Sequence, residues 1–232
     1  MATILKTPEK LILRIPANES LANAIRRSVA EVPTLAIEDI EMYKNDSALY
    51  DEIVAHRIGL IPIKTEKSMS SKTKIDFKLS KVGPCTVYSG DLEGSADLVF
   101  DKIPITVLGD GHKLELVATA ILGLGINHAK FIPGLCYYRH ILNVKSSPEV
   151  DAIIQKSKFG AIKPEKKGSS WLCDLNEAEA SAIVKIDEKA ITDSNEILFI
   201  IESYGNMPAQ DIFTKAIEAL EDNLKEFEKA IK

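Results

Sequence analysis

The chain is poor in the residues that build stapled, redox or metal-bound proteins. It has three cysteines, Cys85, Cys136 and Cys173, odd in number and far apart, which gives neither a disulfide framework nor a paired-cysteine metal knuckle. A reducing cytoplasm is the compartment this usage predicts. Aromatic residues are 6%, with one tryptophan. Positive charge is not in excess: 29 Lys and Arg stand against 34 Asp and Glu, a formal net charge of −5. Duplex-binding proteins carry a basic face, so direct nucleic-acid binding by this chain alone is not expected. Long apolar runs are missing too. The longest uncharged stretch, Leu116–Ala129, is fourteen residues, short of the about eighteen that a bilayer span needs. The opening MATILKTPEK has no extended apolar region ahead of its charges, so no secretory leader and no membrane anchor are expected. The sequon at Asn45-Asp46-Ser47 is read as chance.

What is present is an ordinary globular composition, 45% apolar and 27% charged over 232 residues, ample for a packed core. Ile4–Ile15 reads as one strand ended by Pro16. Asn18 offers a helix N-cap, and Leu21, Ile25, Val29 and Val32 follow at helical spacing until Pro33. Leu35–Met42 reads as a strand. Asp51–Ile58 reads as a short helix ended by Gly59. Strands are predicted at Ile75–Leu79, Leu114–Leu122 and Leu135–Val144. The turn punctuation between them is Gly83-Pro84, Ser89-Gly90 and Gly109-Asp110-Gly111. Beyond Ser146-Ser147-Pro148 the chain is more polar, with a helix near Asp151–Ser157, a loop over Lys163–Ser170 and short strands at Ile183–Ile186 and Ile197–Glu202.

The last segment carries the clearest pattern. From Pro208 onward, Phe213, Ile217, Leu220, Leu224, Phe227 and Ile231 fall at alternating spacings of four and three, a heptad seam. Ile212, Ala216 and Ala219 widen it. Two readings fit: the helix packs on its own sheet, or on a partner. The width of the stripe suits a helix that does both.

Chemistry is scarce. Gly123-Leu124-Gly125 begins like a dinucleotide fingerprint but lacks its third glycine, and no phosphate-binding GxxxxGK[ST] loop occurs. The histidines, His56, His112, His128 and His140, show no metal spacing beyond one lone Cys136/His140 pair, and a structural zinc wants four ligands. No GxSxG elbow is present. The pattern favours an interaction protein over an enzyme. Two stretches ask for a role. Asn23–Arg27 ends in Arg26 and Arg27, two of only five arginines. Arginine is favoured where planar carboxylate contacts form at interfaces, though a solvated face accounts for the pair as well. Leu49–Ile63 joins an acidic and basic helix (Asp51, Glu52, His56, Arg57) to an apolar exit shaped by Gly59 and Pro62, suited to docking or to core.

The run NAIRRSVAEVPTLAIEDIEMYKNDSALYDEIVAHRIGLIPI resembles the signature region of the D-type subunits of archaeal DNA-directed RNA polymerase. That family is similar to the third-largest subunit of eukaryotic polymerase II and to the bacterial alpha N-terminal domain. Asp101–Ile105, Leu122–Pro133 and Phe199–Asn206 with the terminal helix match further family elements in order.

The resemblance implies an α+β fold. A discontinuous dimerisation domain, a sheet plus two helices, would span 1–42 and 183–232. An inserted β-rich domain would occupy 43–147, and a small third module 148–182. It implies a heterodimer with the small L-type subunit of the polymerase through the helix at Asn18–Val32 and the terminal seam (Phe213, Ile217, Leu220, Leu224, Phe227, Ile231). This pair would recruit the large catalytic subunits, chiefly the second largest, with the chain itself holding no catalytic residue. Asn23, Arg26 and Arg27 would lie where the bacterial relative holds that subunit. Asp51, Glu52, His56, Arg57, His128 and Lys130 would face the large subunits or the platform. Many members carry an iron–sulfur cluster in the third module. Here 148–182 holds only Cys173, against the four thiolates such a cluster needs, so no cofactor is expected. A free-standing homodimeric scaffold is the alternative.

Overall fold

The computed structural model describes residues 2–16 and 18–232. At the amino end, the single strand expected over Ile4–Ile15 is a hairpin: β1 (Ala2–Lys6) and β2 (Lys10–Pro16) pair antiparallel, Ala2 opposite Arg14. Thr7 and Pro8 make the break. The Thr7 amide donates to the Lys10 carbonyl at 2.8 Å, and the Lys10 amide donates to the Thr7 hydroxyl at 2.9 Å. Proline, with no N–H, cannot continue a ladder there.

Helix α1 (Glu19–Ser28) starts on the expected cap, with Asn18 Oδ1 accepting from the Leu21 amide at 3.0 Å. It ends in a 3-10 turn, Val29–Glu31, ahead of Pro33. There follow β3 (Thr34–Asn45), α2 (Asp51–Gly59), β4 (Lys74–Val82), β5 (Cys85–Tyr88), β6 (Glu93–Gly94), β7 (Pro104–Leu108), β8 (Lys113–Gly123) and a 3-10 turn at Ala129–Phe131. Next come β9 (Gly134–Lys145), α3 (Pro148–Lys156), β10 (Glu165–Lys167), β11 (Ser170–Cys173), α4 (Glu177–Ile186), β12 (Ile191–Ser203) and α5 (Ala209–Ala230).

The strands form three antiparallel sheets: six strands in the order β1-β2-β12-β9-β11-β10, four in the order β3-β8-β4-β6, and the pair β5-β7. The architecture is α+β with five α-helices among the described residues. In β12 side chains alternate between faces, as a strand's period of two requires. Ile197, Phe199 and Ile201 face α1 and α5 together with Leu11, Leu13, Ile25 and Ile212. Leu198 and Ile200 turn the other way and pack with Ile12, Ile141 and Ile162. Trp171, Val144, Val150, Ile154 and Ile183 form a separate cluster under α3 and α4. The four-stranded sheet, the β5-β7 pair and α2 share the largest core, around Phe77, Leu35, Ile58, Leu79 and Ile105.

Several expectations need correction. Sheet membership does not follow the spans drawn from sequence. β3 reaches back to residue 34, inside the first span, yet it belongs to the four-stranded sheet. β9, inside 43–147, lies in the six-stranded sheet between β12 and β11. A strand's own alternation does not name its neighbours. The strand expected at Ile183–Ile186 is the end of α4, which opens on a capping box: Asn176 Oδ1 accepts from the Glu179 amide, and Glu179 accepts from the Asn176 amide. The loop expected over Lys163–Ser170 holds β10 and the turn of the β10-β11 hairpin, with Gly168 at its tip at φ +60°. Pro208 caps α5 rather than beginning it.

Candidate functional site

Helix α5 holds the seam on one face, and the fold treats its two halves differently. Ile212 and Ala216 are fully buried against β12 and β2, and Phe213, Ile217 and Leu220 are packed beside them, half-buried. The Phe213 ring meets Phe199 edge-on, centroids 5.8 Å apart. From residue 221 the helix projects beyond the sheet. Leu224 is 60% exposed, Phe227 64% and Ile231 67%. Few contacts hold this half, among them Asn223 Nδ2 donating to Glu31 at 2.6 Å.

The arginine pair sits in the last turn of α1, where positive charge suits the helix dipole. Asn23 Oδ1 accepts from Arg26 Nε at 3.1 Å and Nη2 at 2.9 Å, which folds Arg26 back along the helix. Both arginines line a groove of about 500 Å³ with Ala30, Ile126, Ile132 and Leu135. Cys136 lines it as well. Burial pushes that thiol up to about 12, although the Arg26 charge pulls the other way.

In α2, Asp51 and Glu52 occupy the first turn, and Asp51 accepts from Asn45 Nδ2 at 2.8 Å. His56 and Arg57 occupy the last. Arg57 Nη2 donates to the Pro104 carbonyl at 2.7 Å and so ties α2 to β7. His128 caps the 129–131 turn, its Nδ1 accepting from the Lys130 amide at 3.1 Å. Lys130 is engaged within the chain: its Nζ pairs with Glu38 at 2.5 Å, lies 5.2 Å from the Phe131 ring centre, and the side chain is 12% exposed.

The structure brings α2's exit and the 129–131 turn together. Leu60, Pro62, Phe100, Ile103, Ile132 and Tyr204 line an apolar groove of about 450 Å³. Ile132 and Tyr204 also line the arginine groove, so the two lie side by side. Phe100, Ile126, Leu135 and Tyr204 are exposed there and were missed from sequence. Phe100, Ile126 and Tyr204 are single apolar residues outside helices and strands and carry no periodic signal, while the period of β9 does not show that Leu135 at its start is left uncovered.

Among the described residues, no group of three or more His, Cys, Asp or Glu is placed to hold a metal ion. The donor set does not fit an iron–sulfur cluster. Residues 148–182 contain Cys173 alone, its side chain buried and its thiol pushed up to about 12 by burial, then by the negative charges of Asp174 and Glu179. Among the described residues no helix is long and apolar enough to cross a membrane.

Residues 15–224 match the family described as the RNA polymerase Rpb3/Rpb11 dimerisation domain. The chain is also similar to curated archaeal proteins named DNA-directed RNA polymerase subunit Rpo3. The protein of Methanocaldococcus jannaschii is 42% identical over 160 residues, covering 68% of this chain and 80% of its own length. That of Pyrococcus furiosus is 34% identical over 225 residues, 87% and 84%. That of Archaeoglobus fulgidus is 32% identical over 246 residues, 96% and 93%. A match across nearly the whole of an antiparallel α+β chain, in agreement with the resemblance carried by its signature region, places this chain in the archaeal Rpo3 branch of the Rpb3/Rpb11 dimerisation-domain family.

Proposed function

We propose that the chain is a non-catalytic assembly platform of an archaeal DNA-directed RNA polymerase, working in the cytoplasm without a cofactor of its own. It pairs with the small L-type subunit through α5 and α1, and the pair recruits the large catalytic subunits. Polymerisation then belongs to the complex, and this chain contributes shape rather than chemistry.

The observation that carries the reading is the uncovered half of α5. Leu224, Phe227 and Ile231 extend a buried stripe into solvent. Covering each contributes about 1.5–3 kcal/mol before the costs of association, which favours a standing partnership. The Arg26/Arg27 groove and the apolar groove beside it are the surfaces assigned to the large subunits, chiefly the second largest. Asn23 positions Arg26 there. The exposed Leu60 lines the apolar groove and His128 shapes the turn between the grooves, while Asp51, Glu52 and His56 on α2 are assigned to the large subunits or the platform.

The test is to tag the chain at its amino end, purify it gently from its own cells, and weigh and identify what accompanies it. A small second chain with the large polymerase chains is expected. Recovery as a stable homodimer without other subunits would overturn the reading in favour of a free-standing scaffold.

A further inference from the structure

One turn joins the two larger sheets through a dense set of hydrogen bonds. Residues 203–207 leave β12 of the six-stranded sheet and press against the segment that leaves α2. Asn206 is buried, 5% exposed, and uses both its polar ends there. Its Nδ2 donates to the Ile63 carbonyl at 3.0 Å, and its own backbone carbonyl accepts from the Thr65 amide at 2.8 Å. One residue thus grips the chain on either side of Lys64, as a third strand would. Ile63 is already bridged to Leu98, and the Val99 amide donates to Pro62 at 3.0 Å. The contact continues into the other sheet, because the Leu35 amide at the start of β3 donates to the Thr65 hydroxyl at 3.0 Å.

The turn is equally fixed on its own side. Ser203 Oγ donates to the Met207 carbonyl at 2.5 Å and accepts from the Gly205 amide at 2.9 Å. The Ser203 amide donates to Glu9 at 2.7 Å, and the Tyr204 amide to Pro133 at 3.0 Å. Gly205 has φ +98°, and a Cβ there would stand 2.3 Å from Val99 Cγ1. Close approach and left-handed backbone both call for glycine at this point.

We propose that this turn is a pin, with Asn206 as its positioning residue, that fixes the angle between the six-stranded and four-stranded sheets and so sets the shape of the apolar groove between them. The groove takes Leu60, Pro62, Phe100 and Ile103 from one side of the junction and Ile132 and Tyr204 from the other. Its width therefore depends on the pin. The pin stands on contacts within the chain. Only the groove's use as a docking surface rests on the platform reading.

The experiment is hydrogen exchange on the full chain with Asn206→Ala. The substitution removes the side-chain bond to the Ile63 carbonyl and keeps the backbone carbonyl that accepts from Thr65. With that carbonyl no longer held in place, the Thr65 amide opens more often and exchanges roughly ten- to a hundredfold faster, while amides in the centres of β8 and β12 keep wild-type rates. In a Cys85→Ser background, nitroxides at positions 78 and 167, one on each sheet, give a narrow distance distribution in the wild type and a broadened one in the variant. A general loss of stability would not broaden that distance while both ladders stay protected. Unchanged Thr65 exchange, or an unchanged distance in the folded variant, overturns the pin. If Asn206→Ala does not fold, Asn206→Ser serves in its place, together with exchange of the wild type at rising urea. There the Thr65 amide must open before the two ladders, and opening only together with them overturns the proposal. A pin confirmed in a chain that recruits no large subunit would remove the platform reading and leave the pin standing.

Discussion

The two halves of α5 carry one apolar pattern and meet opposite fates. Residues 209–220 press Ile212 and Ala216 into the six-stranded sheet, while residues 221–230 carry the same seam into solvent. The sheet simply ends before the helix does. A heptad seam states which face of a helix is apolar and is silent about what covers it. The difference between the halves is therefore the boundary between what the chain folds for itself and what it presents.

That boundary can be broken by mutation. The largest effect is expected from Leu224→Asp with Phe227→Asp, which places two charges in the uncovered half. Pairing with the small partner should weaken by roughly a thousandfold or more, since buried interface anchors contribute about 2 kcal/mol or more each. The urea stability of the isolated chain should stay within about 0.5 kcal/mol, as surface substitutions do. Sedimentation of the mixed subunits and urea unfolding check the two parts. Ile212→Ala, in the covered half, should do the reverse. It should cost the isolated chain about 2–5 kcal/mol in urea unfolding and leave the partner face intact.

Arg27→Glu sharpens the contrast on α1. Pairing through α5 should persist while capture of the large subunits falls about tenfold, the scale of one interface contact, read by pull-down with the preformed pair. Unchanged capture for both Arg26→Glu and Arg27→Glu would remove the arginine groove from the interface.

The smallest effect is on pH. Asp151 accepts from Lys166 Nζ at 2.8 Å, Ser146 Oγ at 2.7 Å and Trp171 Nε1 at 2.7 Å, which lower its carboxyl to about 2. A carboxyl lower in the folded chain than in the unfolded one adds stability above the ordinary carboxylate range, and that stability is lost as pH falls toward 2. Urea unfolding followed through Trp171, the one tryptophan, should show this loss. Asp151→Asn should flatten it.

How much of this was legible in the sequence follows the same division. Cap and period announced α1 and α5, because Asn18, Pro33 and the seam are local signals. The width of the α5 stripe suggested one edge for the sheet and one for a partner, whereas the fold divides the stripe along its length, covered to residue 220 and exposed beyond. Which sheet β3 and β9 would join was not visible, because that depends on partners tens of residues away in the chain. α4 was read as a strand because Ile183 and Ile186 were weighed without the Asn176/Glu179 capping box upstream. Of the candidate site, Arg26 and Arg27 were found by their rarity. Lys130 was expected to face the large subunits or the platform, and its pairing with Glu38 was not visible because that partner comes from β3, far off in the chain. Tyr204 and Phe100 were missed because two turns meet only in the folded molecule.

The strand order of the six-stranded sheet also sets a timetable. β12, made after residue 190, is the strand that joins β2 to β9. On the ribosome β3, β4 and β8 can pair and close their core while the β1-β2 hairpin still lacks its neighbour. The sheet that supports α5 closes only after β12 has emerged, and α5 follows it. The sticky half of that helix is thus displayed only on a sheet already closed, and until β12 arrives it is the open edge of β2 and the uncovered Leu11, Leu13 and Ile25 that a nascent chain must shield from wrong partners.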